Sequence, residues 1–310
     1  MDSNGVKVGR IGYLNVLPIY YPLEQGTIKH NLSFVYGSPA ELNELMASGK
    51  LDVSVVSSIE YARHFDRYVV LPDLSISCKG AVKSVLLFSR LPLEKLNNRV
   101  IHLTPQSHTS VALLKLILTR VYQMRCSFVS MARPLWQIRK EECPEAYLAI
   151  GDEALYWAKL GAGTLASPYP YVWDLGDLWY QWTGLPFVFA LWVCRKDLEP
   201  EKIIDSLESL LAAKAWGMEH LDLVCSQAAR TTFLTRDELR IYFRHLMYDL
   251  GEDMLKGLSR YYELLHQEGM LDSMPSLNFP GRQCRQKVVS ARTDLHVRFE
   301  VMSQFDFFAL

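Results

Sequence analysis

Val8-Gly9-Arg10-Ile11-Gly12-Tyr13-Leu14-Asn15-Val16-Leu17-Pro18 is the stretch on which the fold turns. Val, Ile, Tyr and Leu from Val8 to Leu14 suit a buried strand. The run breaks at Asn15, and the proline entering the next apolar segment suits the first turn of a helix. Asn15 is therefore expected at a strand-to-helix junction. Ligands of open α/β sheets bind outside the carboxyl ends of strands. The Asn15 amide, with one acceptor and two donors, either points at such a ligand or caps the helix.

Outward from this junction the alternation continues. A second strand is expected near Leu32 to Tyr36, and Ser38-Pro39-Ala40-Glu41 reads as a capping box opening a helix that Gly49 closes. Leu51 to Val56 predicts a third strand ending in Ser57-Ser58, and Ser84 to Arg90 a fourth. The pattern then restarts: strand Val100 to Leu103, a polar turn, an amphipathic helix from Thr109 to Val121, and strands near Cys126 to Val129 and Tyr147 to Ile150. An aromatic stretch from Tyr169 to Trp192 includes the apolar run Leu185 to Val193, and from Glu199 onward the signal is helical. Thr235-Arg236-Asp237-Glu238 is a second capping box, followed by a helix from Glu252 to Gln267.

Strands at 84–90 and 185–193 that bracket an inserted α/β lobe predict a two-lobed α/β fold with a ligand cleft between lobes, as in periplasmic binding proteins of type II. The expected division is 1–88 with 191–275 as one discontinuous lobe, 89–190 as the other, and 276–310 as a C-terminal extension.

With 49% hydrophobic and 22% charged residues the chain has the composition of an ordinary globular protein, and its net charge of -1 offers no electrostatic case for nucleic acid or an anionic membrane. No basic stretch followed by an apolar one marks the start as a secretory signal, and nothing approaches the roughly 18 apolar residues of a membrane span, so a cytoplasmic location is expected. The six cysteines form no CxxC pair and no zinc-like spacing with histidine; reduced, mostly buried thiols are expected.

Three junctions are rich in short polar groups: Asn15, Ser57-Ser58, and Thr104 to Ser110 with Ser107, His108 and Thr109. Helix N-termini present unpaired N–H groups and partial positive charge, so hydroxyls beside them extend a donor array suited to a carboxylate. Taken singly, each reads as a cap; three on facing lobes point to a ligand. Asp152, in Ile150-Gly151-Asp152-Glu153, is placed to cap a helix or to exchange a proton, and Gly151 either lets a ligand approach the backbone or relieves a tight turn. His108 is either a base or a solvent-facing turn residue. Phosphate-loop, dinucleotide-binding and Gly-x-Ser-x-Gly signatures are absent, and the aromatic stretch reads as lobe packing.

Six motifs in order, Gly12 to Pro18, Leu51 to Ser58, Ser84 to Arg90, Ser107 to Val111, Ile150 to Leu155 and Thr183 to Ala190, resemble chorismate dehydratases of the futalosine route to menaquinone. The resemblance implies a binding-protein-like fold that converts chorismate to 3-[(1-carboxyvinyl)oxy]benzoate and water without a cofactor. It implies Asn15 and Ser84 as the central polar residues, with Ser57, Ser58, Ser107, Thr109 and Ser110 binding carboxylates. No Asp, Glu or His stands in the Asn15 or Ser84 motifs, so the substrate's enolpyruvyl carboxylate is the expected proton acceptor, oriented by Asn15. The sister enzyme, 1,4-dihydroxy-6-naphthoate synthase, carries histidine in a strand-end Ile-His-Glu motif, where this chain has Ile150-Gly151-Asp152-Glu153. A non-catalytic binding protein for a small carboxylate is the remaining alternative. The segment from Ser276, basic and then apolar toward Leu310, fits the resemblance poorly.

Overall fold

Val6–Ile11 forms the first strand, β1, and it ends earlier than the apolar run suggested. Gly12 and Tyr13 lead into a single 3-10 turn, Leu14–Val16, before helix α1, Leu17–Glu24, starts with Pro18 in its first turn. Asn15 thus lies within the turn and not at the cap; Val16 occupies the cap position with no side-chain cap bond. The structure, a computed structural model, describes residues 5–281 apart from 105–107, 162, 163, 165 and 166.

Strand β2, Leu32–Gly37, is followed by helix α2, Pro39–Ala47, which opens on the complete Ser38/Glu41 capping box. Strand β3, Val53–Ser57, runs into the short helix α3, Ser58–Arg63. Next comes β4, Tyr68–Cys78, which the sequence pattern had not revealed. Pro72 and Asp73 interrupt its period, Asp73 taking a left-handed φ of 62°, and the register against its partner strand shifts there. Strands β5, Val85–Ser89, and β6, Val100–Leu103, precede helix α4, His108–Leu116, which continues as a π-helical turn to Val121. Then follow β7, Ser127–Ser130, β8, Ala146–Ile150, α5, Gly151–Leu160, β9, Tyr171–Asp174, α6, Leu175–Thr183, and β10, Phe187–Arg195. Helices α7, Pro200–Glu219, α8, Leu221–Ala228, α9, Arg236–His245, and α10, Glu252–Gln267, complete the described chain.

The strands form two five-stranded sheets ordered β2-β1-β3-β10-β4 and β7-β6-β8-β5-β9. In each, three strands pair in parallel and two more are added through antiparallel pairings. The two strands expected to cross between lobes each pair wholly within one sheet, Val85–Ser89 in the second and Phe187–Arg195 in the first. The chain instead changes sheet just before each of them, over 79–84 and 184–186. The expected lobe limits therefore fall inside β5 and β10.

Matching sheet order places matching strand ends together. Asn15 follows β1, Ser57 ends β3, His108 to Ser110 follow β6, and Gly151 follows β8. Ser84 immediately precedes antiparallel β5, so it joins the same rim. The first sheet's β4 edge is covered by chain: Ser75 N and Ser77 N donate to Tyr248 O and Met247 O at 2.9 Å each, and Val70 N donates to Asn278 O at 2.7 Å. The start of the C-terminal extension is thus tied down, with Tyr61 Oη donating to Ser276 O and Asn278 Nδ2 to Phe65 O, both at 2.8 Å. The rest of the extension, with Cys284, lies outside the described residues. Of the described cysteines, Cys78, Cys126, Cys143 and Cys225 are free thiols. No helix among the described residues is long and apolar enough to cross a membrane.

Candidate active site

The rim encloses a cavity of about 390 Å³, within the size range of small-molecule sites. Asn15, Ser57, Ser84, Thr109, Ser110 and Gly151, nominated on sequence grounds, all line it. His108 lines it too, joined by Tyr13, Ser38 and Asn43, which the sequence had not marked as site residues. Ile11, Val55, Val82, Phe189 and Ala190 supply apolar walls, and among the described residues no lysine or arginine reaches the lining. Any anion held here therefore meets neutral donors and the N-termini of α2, α4 and α5.

Asn15 Oδ1 is buried and has no hydrogen-bond partner among the described residues. A buried carbonyl left this way is costly, which is the signature of an atom kept for a ligand and not for the fold. Ser57 shows that capping and binding are compatible. Its Oγ accepts from Glu60 N at 3.4 Å as the α3 cap, which leaves the hydroxyl hydrogen to donate elsewhere. Thr109 Oγ1 similarly accepts from Ile59 N at 3.0 Å, tying the start of α4 to the first turn of α3.

Two nominated residues stand elsewhere. Ser58 is fully buried behind the rim, where its Oγ donates to Val188 O, so it positions β10 and does not face the cavity. Asp152 is absent from the lining; its Oδ1 accepts from Leu14 N at 3.2 Å and so ties α5 to the turn carrying Asn15. The cap position of α5 belongs to Ile150, because the helix already starts at Gly151. Ser107 lies outside the described residues.

Four buried tyrosines brace this rim, and no sequence motif announced them. Tyr242 Oη donates to Ser84 Oγ at 3.1 Å, Tyr248 Oη to Asn15 O at 2.8 Å, Tyr261 Oη to Thr109 O at 3.0 Å, and Tyr262 Oη to Ser58 O at 2.8 Å. All four come from α9, α10 and the segment between them, where the helical period reads them as core. Burial raises the pKa of each phenol, so all remain protonated donors. The Tyr248 segment is itself anchored, since buried Lys214 Nζ donates to Asp249 Oδ1 at 2.7 Å and Asp73 Oδ2 at 2.9 Å.

Gly151 has a left-handed φ of 58°, and a Cβ there would stand 3.1 Å from the Tyr13 ring. Its N–H donates to Ser84 O at 2.7 Å, which joins the ends of β8 and β5. The glycine is needed for both the turn and the close approach of the ring.

Burial raises Asp152 to about 6, against the opposing effects of the Leu14 N–H and Arg10. Burial likewise raises neighbouring Glu153 to about 7, although Leu135 N and the Tyr147 hydroxyl donate to it. The folded protein consequently holds protons that the unfolded chain has released, so these groups favour folding at low pH and lose that contribution as pH rises from about 4 to about 7. An Asp152→Asn, Glu153→Gln double variant is expected to gain several kcal/mol over the parent at pH 8 and little at pH 4.5. Thermal melts of both proteins across that range measure it; parallel curves would show that the two carboxyls are not the source.

A family profile described as menaquinone biosynthesis matches residues 6–267. Chorismate dehydratase of Thermus thermophilus is 34% identical over 267 residues, covering 82% of this chain and 92% of that protein. The 1,4-dihydroxy-6-naphthoate synthase of the same organism is 24% identical over 269 residues, covering 83% and 92%. Among solved structures, the periplasmic aliphatic sulphonate-binding protein of Escherichia coli superimposes with a TM-score of 0.61 at 12% identity, covering 88% of this chain and 90% of that one. The architecture is thus the two-lobed fold of periplasmic binding proteins.

Proposed function

Since the chain belongs to the menaquinone-biosynthesis family and is similar over most of its length to a chorismate dehydratase, we propose that it eliminates water from chorismate, giving 3-[(1-carboxyvinyl)oxy]benzoate. The observation that carries the reading is Asn15 Oδ1, without a partner among the described residues, on a cavity it shares with Ser84 and with the polar starts of α2, α4 and α5. Chorismate brings two carboxylates, which suit hydroxyls and helix N-termini without demanding a lysine or arginine. It also brings one ring hydroxyl and a neighbouring ring hydrogen.

Elimination takes that hydrogen as a proton from the carbon bearing the enolpyruvyl ether. Its electron pair forms the new ring double bond, and the hydroxyl leaves as water by taking up the proton that the acceptor has removed from carbon, making the ring aromatic. Among the described lining residues no Asp or Glu is present, and Tyr13 is held protonated by burial and by Asp152. The substrate's own enolpyruvyl carboxylate, oriented by the Asn15 amide, serves as proton acceptor, while Ser84 donates to the departing hydroxyl. Ser57, Thr109 and Ser110 hold the carboxylates. Such positioning is worth several kcal/mol of barrier.

Position 151 separates this reading from the sister activity. The sister resemblance calls for histidine there, but any side chain at 151 meets the Tyr13 ring and a strained backbone. Incubation of the purified protein with chorismate, without added cofactor, is expected to yield an aromatic product lighter by one water that retains the enolpyruvyl group, read by ultraviolet absorbance and mass. Binding without conversion would favour a non-catalytic receptor, and absence of both would remove the reading. His108→Gln is expected to leave kcat within about threefold, because a mouth residue of this kind offers no required proton transfer; loss of turnover with binding retained would make it the base.

A further inference from the structure

We propose that Tyr242 is a positioning residue that fixes the direction of the Ser84 hydroxyl, making Ser84 an obligate donor into the cavity. The proposal rests on the dehydratase reading and deepens it. Ser84 is 3% exposed and Tyr242 2%. The Tyr242 Oη to Ser84 Oγ contact is 3.1 Å, and the phenol makes no other hydrogen bond among the described residues. Two hydroxyls can share one hydrogen bond in either sense. If Ser84 donated to Tyr242, the phenol hydrogen would be left buried without an acceptor, which burial penalises. Donation from Tyr242 satisfies it, and one lone pair of Ser84 Oγ is then occupied.

The main chain of Ser84 is pinned as well, because its carbonyl accepts from Gly151 N at 2.7 Å and β5 pairs with β8 from Val85 onward. With backbone and one lone pair fixed, the Ser84 hydrogen has the cavity as its remaining direction. A donor aimed at the leaving hydroxyl before substrate arrives needs no reorganisation during the reaction, which is the basis of electrostatic preorganisation. The phenol is kept protonated by burial, so its sense does not reverse with pH in the ordinary range. Tyr242 itself does not line the cavity. It acts only through Ser84.

The test is a double-mutant cycle on kcat with chorismate, using wild type, Tyr242→Phe, Ser84→Ala and the double variant. Long incubations read by mass spectrometry capture residual turnover. Tyr242→Phe is expected to lower kcat about tenfold, the worth of one directed hydrogen bond, with KM little changed. In the Ser84→Ala background the same change is expected to have no further effect, since the group it orients is gone. An unchanged kcat in Tyr242→Phe overturns the proposal. So does a loss that repeats in full in the Ser84→Ala background, which would mark a merely structural role. Inactive wild type would instead refute the dehydratase reading on which the proposal stands.

Discussion

Asn15→Ala is expected to lower kcat with chorismate by about a hundredfold or more, the usual cost of losing a preorganised polar group at a reacting centre. The fold should not suffer. In the free protein Asn15 Oδ1 is buried without a partner among the described residues, so its removal relieves an unsatisfied group, and Tyr248 still holds the main-chain carbonyl at 2.8 Å. The expected pair of results is collapsed turnover with an equal or higher thermal midpoint, a combination that marks a residue retained for function. Steady-state kinetics and a thermal melt on one preparation check it. A kcat within about threefold of wild type would take the Asn15 amide out of the chemistry.

Gly217→Ala is expected to have the largest effect on stability. Helix α7 crosses α1 so closely that a Cβ at 217 would lie 1.7 Å from Pro18 O and 2.6 Å from its carbonyl carbon. Backbone cannot swing aside as a side-chain tip can, so the helices must part. The cost is expected at or above about 3 kcal/mol, the upper end for overpacking. Because α1 leaves directly from the turn that carries Asn15, any surviving folded protein should also lose turnover. Gly12→Ala is the contrast, since its new methyl meets nothing within 4 Å; it is expected to cost less than about 1 kcal/mol. Denaturant unfolding of both variants distinguishes them, and equal midpoints would contradict the packing argument.

What could be read from the sequence, and what could not, follows from the range of the interactions involved. Local rules carried well: the Ser38/Glu41 and Thr235/Glu238 capping boxes both form, and the helix expected at Glu252 to Gln267 runs over those residues. These depend on bonds across a few residues, which a pattern of residue types encodes directly. The strand ends were legible for the same reason, and the sheets bring Asn15, Ser57, Ser84, Thr109 and Ser110 onto one cavity. Strand β4 was hidden because Pro72 and Asp73 break its period, while pairing with β10 restores it as one strand. Only tertiary contact reveals that.

The bracing tyrosines were hidden for a different reason. Tyr242 and Ser84 are 158 residues apart, and Tyr248 and Asn15 are 233 apart. On α9 and α10 a tyrosine at a core position looks like any aromatic that fills space; what sets it apart is the destination of its hydroxyl. Ser58 and Asp152 illustrate the converse. Both carry groups suited to a ligand, yet Ser58 is committed to Val188 and Asp152 to Leu14, contacts that sequence spacing does not contain.

The most direct measurement is a crystal structure of the Ser84→Ala variant with chorismate. The expected density lies in the cavity between Asn15 and residue 84, with one carboxylate beside the Asn15 amide, the other at the start of α4 near Thr109 and Ser110, and the ring hydroxyl facing the missing serine oxygen. Chorismate bound elsewhere, or an empty cavity at a concentration that saturates the wild-type enzyme, would contradict the assignment of this cleft as the site of elimination.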